Sequence, residues 1–464
     1  MNTQDTICAI ATAQGGAIGV IRISGKDAIA ITDRIFTPVG KHPLPLSERK
    51  AYTMAFGHIR QDDGEIIDEV LIGLFKSPHS YTGEDCVEIS CHGSSFILQQ
   101  VMQLLIRKGC RAAGPGELTQ RAFLNGKMDL SQAEAVADLI ASSSAATHRM
   151  AMNQMRGGFS RELSALRERL LHLTSLMELE LDFSDHEELE FADRSELETI
   201  AGDIEKVISG LVHSFSVGNV LKNGIPVAIV GETNAGKSTL LNTLLNEEKA
   251  IVSDIHGTTR DVIEDTVNLS GITFRFIDTA GIRDTHDTIE NMGIARSFHK
   301  MEQAEIVLWV VDNTCAEAQI RQLSPRILPL CSNKQLIILL NKSDQVSAVP
   351  TKLSGLPENT VTLSISAKEK TGIQELQNLL VKTASVPELT SSDLIVTNVR
   401  HYEALSLALE DIHRVQNGLQ THLSGDFISQ DLRECLFHLA EIVGGEITTD
   451  EVLGNIFMKF CIGK

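Results

Sequence analysis

Cysteine is sparse here: eight residues in a chain of 464, none forming a C-x-x-C pair, which excludes a disulfide scaffold. Cys86 and the Cys91-His92 pair could serve as metal ligands, but the run Glu84 to Ser90 alternates as a strand does. These cysteines are therefore expected to be buried, and no metal cluster is assigned. Long apolar runs are missing as well; none approaches the ~18 residues that cross a bilayer. The opening Met1-Asn2-Thr3-Gln4-Asp5 lacks the basic-then-apolar order of a signal peptide and the arginine bias of a transit peptide, so a cytoplasmic protein with no membrane partner is expected. Basic residues are outnumbered, 41 Lys and Arg against 61 Asp and Glu, for a net charge of −20. That balance speaks against nucleic-acid binding by bulk electrostatics; an RNA contact would need a local basic patch or a basic partner. The chain shows no internal repeat and no low-complexity tract.

What is present reads as a globular protein, 42% hydrophobic and 22% charged, and a chain this long divides into about two to four domains. Residues 1–120 mix strand and helix patterns, with strands expected over Ile18 to Ile23, Tyr52 to Ile59, Ile66 to Phe75 and Cys86 to Ser90, and a helix over Ser95 to Lys108 closed by Gly109. This is an α+β domain. Residues 121–221 are almost purely helical: Leu163, Leu166, Leu170, Leu173, Met177 and Leu181 recur at spacings of three and four, as do Leu197, Ile200, Ile204, Val207, Ile208 and Leu211. The acidic break Asp182 to Asp193 separates the two runs. Ser142 to Ser144 carry no implied base and are expected at a helix surface or end.

Residues 222–384 alternate strand and helix, with strands over Val227 to Val230, Thr273 to Ile277, Ile306 to Val311, Leu336 to Leu340 and Val361 to Ser364. That order indicates a mostly parallel sheet covered on both faces. Helix returns over residues 385–464, with Ser429 and Thr449 expected as N-caps and Gly444-Gly445 as a stop. The chain is thus multidomain: an α+β N-terminal domain, a discontinuous all-α helical domain, and an α/β domain inserted within it, which the ordered motifs Gly231–Ser238, Asp278–Gly281, Asn341–Asp344 and Ser366–Lys368 mark as a Ras-like P-loop GTPase domain.

Gly231-Glu-Thr-Asn234-Ala235-Gly236-Lys237-Ser238 fits G-x-x-x-x-G-K-[ST] between a strand and the helix Thr239 to Leu245. Backbone N–H groups there wrap phosphates at a helix N-terminus, Lys237 reaches the outer phosphates, and the Ser238 hydroxyl ligates Mg²⁺. Asp278-Thr279-Ala280-Gly281 follows a strand; the carboxylate serves Mg²⁺ through water and the Gly281 N–H senses the γ-phosphate. Asn341-Lys342-Ser343-Asp344 follows another, and Asp344 can accept two hydrogen bonds from guanine that adenine cannot donate. Ser366-Ala367-Lys368 matches the loop over the guanine O6. Gly257-Thr258-Thr259-Arg260-Asp261 supplies the switch threonine, Thr259, as the second Mg²⁺ ligand.

Where Ras-like GTPases place a water-orienting glutamine, this chain has Ile282, which cannot position water. Arg260 and Arg283 are candidate arginine fingers, although solvated switch arginines are commoner. The Asn234 amide oxygen could instead coordinate a cation against the β- and γ-phosphates.

These motifs, with Arg22-Ile-Ser-Gly25, Tyr81-Thr-Gly-Glu-Asp85, Gly114-Pro-Gly-Glu117, Arg121-Ala-Phe-Leu-Asn125 and the tail Phe460-Cys461-Ile462-Gly463-Lys464, resemble the MnmE (TrmE) family of tRNA modification GTPases across essentially the whole chain. The resemblance implies a homodimer joined by its N-terminal domains and a heterotetramer with the FAD- and NADH-using partner MnmG (GidA). It implies modification of the C5 position of the tRNA wobble uridine, of the carboxymethylaminomethyl or aminomethyl type, with 5-formyl-tetrahydrofolate or a related folate as one-carbon donor. The folate contacts of the family fall on Arg22, Glu88, Lys127 and Lys464; Arg and Lys suit the glutamyl carboxylates, and Glu88 suits the pterin edge. K⁺ falls to Asn234 with carbonyls of Ser253, Ile255 and Thr258, in a GTP-binding loop that also includes Asp254 and His256. Glu290 matches the water-orienting glutamate, although spacing alone does not select it over Asp284 or Asp287. Cys461 reads more simply as a small buried residue than as a nucleophile. The competing expectation is a regulatory GTPase switch that assembles ribosomal or RNA complexes without modification chemistry.

Overall fold

The computed structural model describes residues 5–13, 15–182, 194–248, 265–277, 301–346, 356–357, 360–384 and 394–445, together with 457, 460 and 463. The chain forms two compact units, one of residues 1–141, 151–209 and 403–464, the other of residues 142–150 and 210–402.

The first unit is built on β1 (Ile7–Ile10), β2 (Ile18–Ser24), α1 (Ala28–Asp33), β3 (Phe36–Pro38), β4 (Thr53–Arg60), β5 (Ile66–Phe75), β6 (Cys86–His92), α2 (Ser95–Arg107) and β7 (Arg111–Ala112). Its sheet runs β3-β4-β5-β6-β2-β1-β7, antiparallel except for β1 with β7. Alternation decides which side faces the core: Asp68, Val70, Ile72 and Leu74 of β5 are buried, and their neighbours Glu69 and Leu71 are exposed. The inward set packs with Leu98, Val101, Leu104 and Leu105 of α2. Cys86 and Cys91 lie in this sheet and are buried as expected; burial pushes their thiols up to about 12 and about 11. The short edge strands β3 and β7, and β1, were not predicted, because two to four residues carry too little alternation to read.

Helix takes over with α3 (Glu117–Leu124), α4 (Leu130–Ala141), α5 (Ala145–Met155), α6 (Gly158–Asp182) and α7 (Arg194–Asn223). Boundaries after residues 120 and 221 fall inside α3 and α7, since helical periodicity runs through both positions. Ser144 caps α5, its Oγ accepting from the Thr147 N–H at 3.2 Å. Leu163, Leu166, Leu170, Leu173 and Met177 of α6 are buried. Phe457 and Phe460 of the tail pack on Leu130 and Ala133 of α4.

In the second unit, β8 (Ile225–Val230), α8 (Lys237–Glu248), β9 (Asp265–Leu269), β10 (Ile272–Phe276), β11 (Ile306–Asp312), α9 (Ala316–Ile327), β12 (Gln335–Asn341), β13 (Val361–Ser364) and α10 (Ile373–Thr383) form an α/β sandwich. The sheet runs β13-β12-β11-β8-β10-β9, parallel but for the edge strand β9. Successive residues of β8 enter separate cores: Val227 and Ile229 on one face, Ala228 and Val230 on the other. Burial on both faces explains its continuous apolar run. The chain leaves β8 towards β10 on one side and β11 on the other, placing a switch point at the carboxyl end of β8, where ligands of such sheets bind.

Two helices follow, α11 (Val399–Gln420) and α12 (Gly425–Val443). The expectation for Ser429 is corrected: α12 starts at Gly425 after Ser424, so Ser429 is buried inside the helix, because the apolar period begins a turn earlier than its polar residue suggested. Gly444 closes the helix as expected. Thr449 lies outside the described residues.

Candidate functional site

At the carboxyl end of β8 the chain turns through residues 231–236 and enters α8 at Lys237, two residues earlier than predicted. Lys237 and Ser238 are therefore helical themselves. The turn depends on Gly236, which has φ +100°; a Cβ there would sit 2.1 Å from the Asn341 Nδ2. Asn234 is exposed, with φ +63°. The Lys237 ammonium folds back over the loop and donates to the carbonyls of Gly231 (2.9 Å) and Glu232 (2.7 Å). Leu240 N–H is bonded to the Gly236 carbonyl, and the N–H groups before it have no carbonyl one turn back within the helix. They form an anion cradle at the positive end of the α8 dipole. The Ser238 hydroxyl in that turn is a hard oxygen of the kind Mg²⁺ takes, and Thr239 is exposed beside it.

Asn341 joins three loops. Its Nδ2 donates to the Ala235 carbonyl at 2.8 Å, and its Oδ1 accepts from the Ala367 N–H at 3.0 Å. The side chain is only 3% exposed, so both amide atoms need these partners. Thr243 Oγ1 donates to the Ala367 carbonyl at 3.0 Å, tying α8 to the same loop. Ser343 N–H reaches the Ile365 carbonyl at 3.1 Å. Ser366 Oγ donates to Asp344 Oδ1 at 2.7 Å, leaving that carboxylate exposed and oriented. Lys368 is exposed, with Glu369 3.7 Å away. The phosphate loop, the Asn341–Asp344 turn and the Ser366–Lys368 loop thus meet at the carboxyl ends of the strands. Ser253, Asp254, Ile255, His256, Gly257, Thr258, Thr259, Arg260, Asp278, Thr279, Ala280, Gly281, Ile282, Arg283, Asp284, Asp287 and Glu290 lie outside the described residues.

A second polar site occupies the first unit. Arg22 and Glu88 face each other across β2 and β6, with Nε and Nη2 of Arg22 at 2.9 and 2.7 Å from Glu88 Oε1. The Arg22 guanidinium lies 5.3 Å from the Tyr81 ring centroid. Tyr81 was not predicted as a contact; its hydroxyl meets Thr119 Oγ1 at 2.8 Å, and burial pushes its phenol up. Lys127 donates to the Pro78 carbonyl at 3.0 Å, on the loop that carries Tyr81. Gly463 has φ +97°, and a Cβ on it would meet the Ile10 carbonyl at 2.2 Å. Only glycine allows this approach to β1, whose Ala9 pairs with Arg22. Lys464 and Cys461 lie outside the described residues.

Behind Arg22 the four N-terminal motifs converge on buried Arg121, whose side chain is 2% exposed. Its Nη1 reaches Glu84 Oε1 at 3.2 Å and its Nη2 reaches Glu117 Oε1 at 3.2 Å and Asp5 Oδ1 at 2.6 Å. Ser24 Oγ bonds Thr82 Oγ1 and Glu84 Oε2, each at 2.7 Å, and Asn125 Nδ2 donates to the Thr82 carbonyl at 2.8 Å. Burial works to raise Glu117, but hydrogen bonds from Arg111 and the Gly114 N–H outweigh it and hold the carboxyl below its usual range. Asp5 is lowered chiefly by Arg111.

Family models match in two blocks: "GTP-binding protein TrmE N-terminus" over residues 6–127 and "MnmE helical domain" over residues 130–461. The chain is 67% identical to the tRNA modification GTPase MnmE of Bacteroides thetaiotaomicron, over 99% of this chain and 100% of that one. It is 66% identical to its counterpart in a Bacteroides fragilis strain, with the same coverage. Among solved structures, a variant of Aquifex aeolicus Era bound to GDP.AlF4- is 28% identical over 40% of this chain and 66% of that chain, at a TM-score of 0.27. With relatives aligned end to end and both models matched, the chain belongs to the MnmE (TrmE) family of tRNA modification GTPases.

Proposed function

We propose that this protein is a K⁺-stimulated GTP hydrolase that modifies tRNA wobble uridine at C5, working as a homodimer with the FAD-carrying partner MnmG (GidA). The observation that carries the reading is the Asn341 bridge, which aligns the phosphate cradle with the exposed Asp344 carboxylate. A nucleotide spanning the two would place its phosphates on the first turn of α8 and its guanine edge on Asp344. Lys237 would leave the Gly231 and Glu232 carbonyls for the outer phosphates. Ser238 and Thr259 would hold Mg²⁺, and Asn234 with the carbonyls of Ser253, Ile255 and Thr258 would hold K⁺; together these ions supply positive charge beside the phosphates. Glu290 would orient the attacking water.

Arg22, Glu88, Lys127 and Lys464 would hold the folate, which supplies a one-carbon unit. Support comes from the Arg22–Glu88 pair and from Gly463, which brings the tail to β1. The homodimer draws support from exposed Met54, Phe56 and Leu71 on paired strands β4 and β5. The division into residues 1–120, 121–221, 222–384 and 385–464 belongs to the same reading.

GTP turnover measured in K⁺ and in Na⁺ tests it: faster hydrolysis in K⁺, lost in Asn234→Ala, is expected, and equal rates in both salts would reject the cation assignment. Asp344→Asn should move preference towards xanthine nucleotides; retained guanine preference would reject the base-selecting role.

A further inference from the structure

We propose that Asp312 is a positioning residue for guanine selection and acts through Lys342; the inference rests on the GTP-binding reading above. Strands β11 and β12 end flush, with Asp312 paired to Asn341, so Lys342 is the first residue beyond the ladder. Lys342 sits at φ +64°, ψ +38°, a left-handed conformation that residues with a Cβ rarely adopt. The conformation needs something to hold it. Lys342 Nζ is ion-paired to Asp312 Oδ2, and both side chains are partly buried.

Asp312 is itself fixed. Its Oδ1 accepts from the Thr314 N–H at 3.0 Å and the Thr314 hydroxyl at 2.7 Å, and its own N–H donates to Gln319 Oε1 at 2.9 Å. Burial works to raise this carboxyl, but hydrogen bonds from Lys342 and Thr314 outweigh it, so the group stays charged. The one-turn helix Asn313–Cys315 also packs against the one-turn helix Ser343–Gln345, which carries Asp344. Asp312 therefore acts on the backbone just ahead of Asp344, the residue that Ser366 then orients.

The test is a double-mutant cycle on the full chain with fluorescent GDP and IDP, alongside GTP kinetics. Asp312→Asn preserves shape and removes charge. It should weaken GDP binding and raise KM for GTP about tenfold, leave kcat within about twofold, and narrow the preference for guanine over inosine. In a Lys342→Ala background the same substitution should have no further effect. Lys342→Gly, which enters the left-handed region freely, should bind GDP better than Lys342→Ala. GDP affinity unchanged by Asp312→Asn, an equal loss in the Lys342→Ala background, a loss confined to kcat, or Lys342→Gly no better than Lys342→Ala would each overturn the proposal. Wild-type protein that binds no GDP would instead overturn the GTP-binding reading and this inference with it.

Discussion

At the ends of β8 and β12, charge is to be held by backbone: helix-end N–H groups, a loop shaped by Gly236, and one amide, Asn341, that locks three segments. Behind Arg22 it is held by side chains, with Arg121 buried among Asp5, Glu84 and Glu117. The two constructions respond differently to loss. A backbone cradle keeps its donors when one side chain goes, because they belong to the helix, and only its alignment with the other loops depends on Asn341. A buried ion cluster is less forgiving, since loss of Arg121 leaves Asp5, Glu84 and Glu117 close together with only Arg111, Ser24 and the Gly114 N–H to offset their charge.

The largest effect should follow from Arg121→Ala, which strands carboxylates beside 4%-exposed Glu117. We expect destabilisation of about 3–5 kcal/mol in urea unfolding; a loss below about 1 kcal/mol would erase the contrast between the two regions. Next comes Asn341→Ala, which leaves the Ala235 carbonyl and Ala367 N–H without this partner and should cost about 2 kcal/mol together with nucleotide affinity. Stability lost with affinity retained would show that the bridge does not align the site.

A third effect is set by pH. Asp5 and Glu117 are held below their ordinary values in the folded state, so their contribution is present above the unfolded range, about 3.9 for Asp and 4.3 for Glu. It disappears as pH falls through the lower folded values. Thermal melting should therefore drop below about pH 4.3, and less steeply in Arg111→Gln, whose carboxylates have less to lose. Parallel curves for both proteins would remove Arg111 from the account. The smallest effect is expected at Ser429, whose buried hydroxyl has no partner among the described residues. Ser429→Ala should change stability by less than about 0.5 kcal/mol, whereas loss of an N-cap costs about 1 kcal/mol.

The α/β sheet was legible because its central strands β8, β11 and β12 are buried on both faces and its loops carry contiguous motifs. Gly231 to Ser238, Asn341 to Asp344 and Ser366 to Lys368 each act within a few residues, so spacing along the chain reports chemistry directly. Two features there escaped: the start of α8, where polar Lys237 and Ser238 masked the helix, and the antiparallel edge strand β9, whose Asp-Thr-Val-Asn-Leu run carries little apolar signal. Reading failed where partners are distant. Arg121 and Asp5 are 116 residues apart, and nothing local in either marks the other. Tyr81 opened a recognised motif, but its contact with Arg22 went unread because the two lie 59 residues apart. Ser429 misled because a polar residue ahead of an apolar run looks like a cap wherever the helix began.

The residue order alone therefore determined most of the strands and helices, the Gly231–Ser238 loop and the Asn341–Asp344 turn, since each rests on periodicity or on bonds between near neighbours. Tertiary structure decided what spacing cannot carry. It made Asn341 the joint of three loops, set Asp312 behind Lys342, drew Gly463 to β1, and gathered the N-terminal motifs around one buried guanidinium. Those contacts join segments whose meeting depends on how the strands are ordered within each sheet.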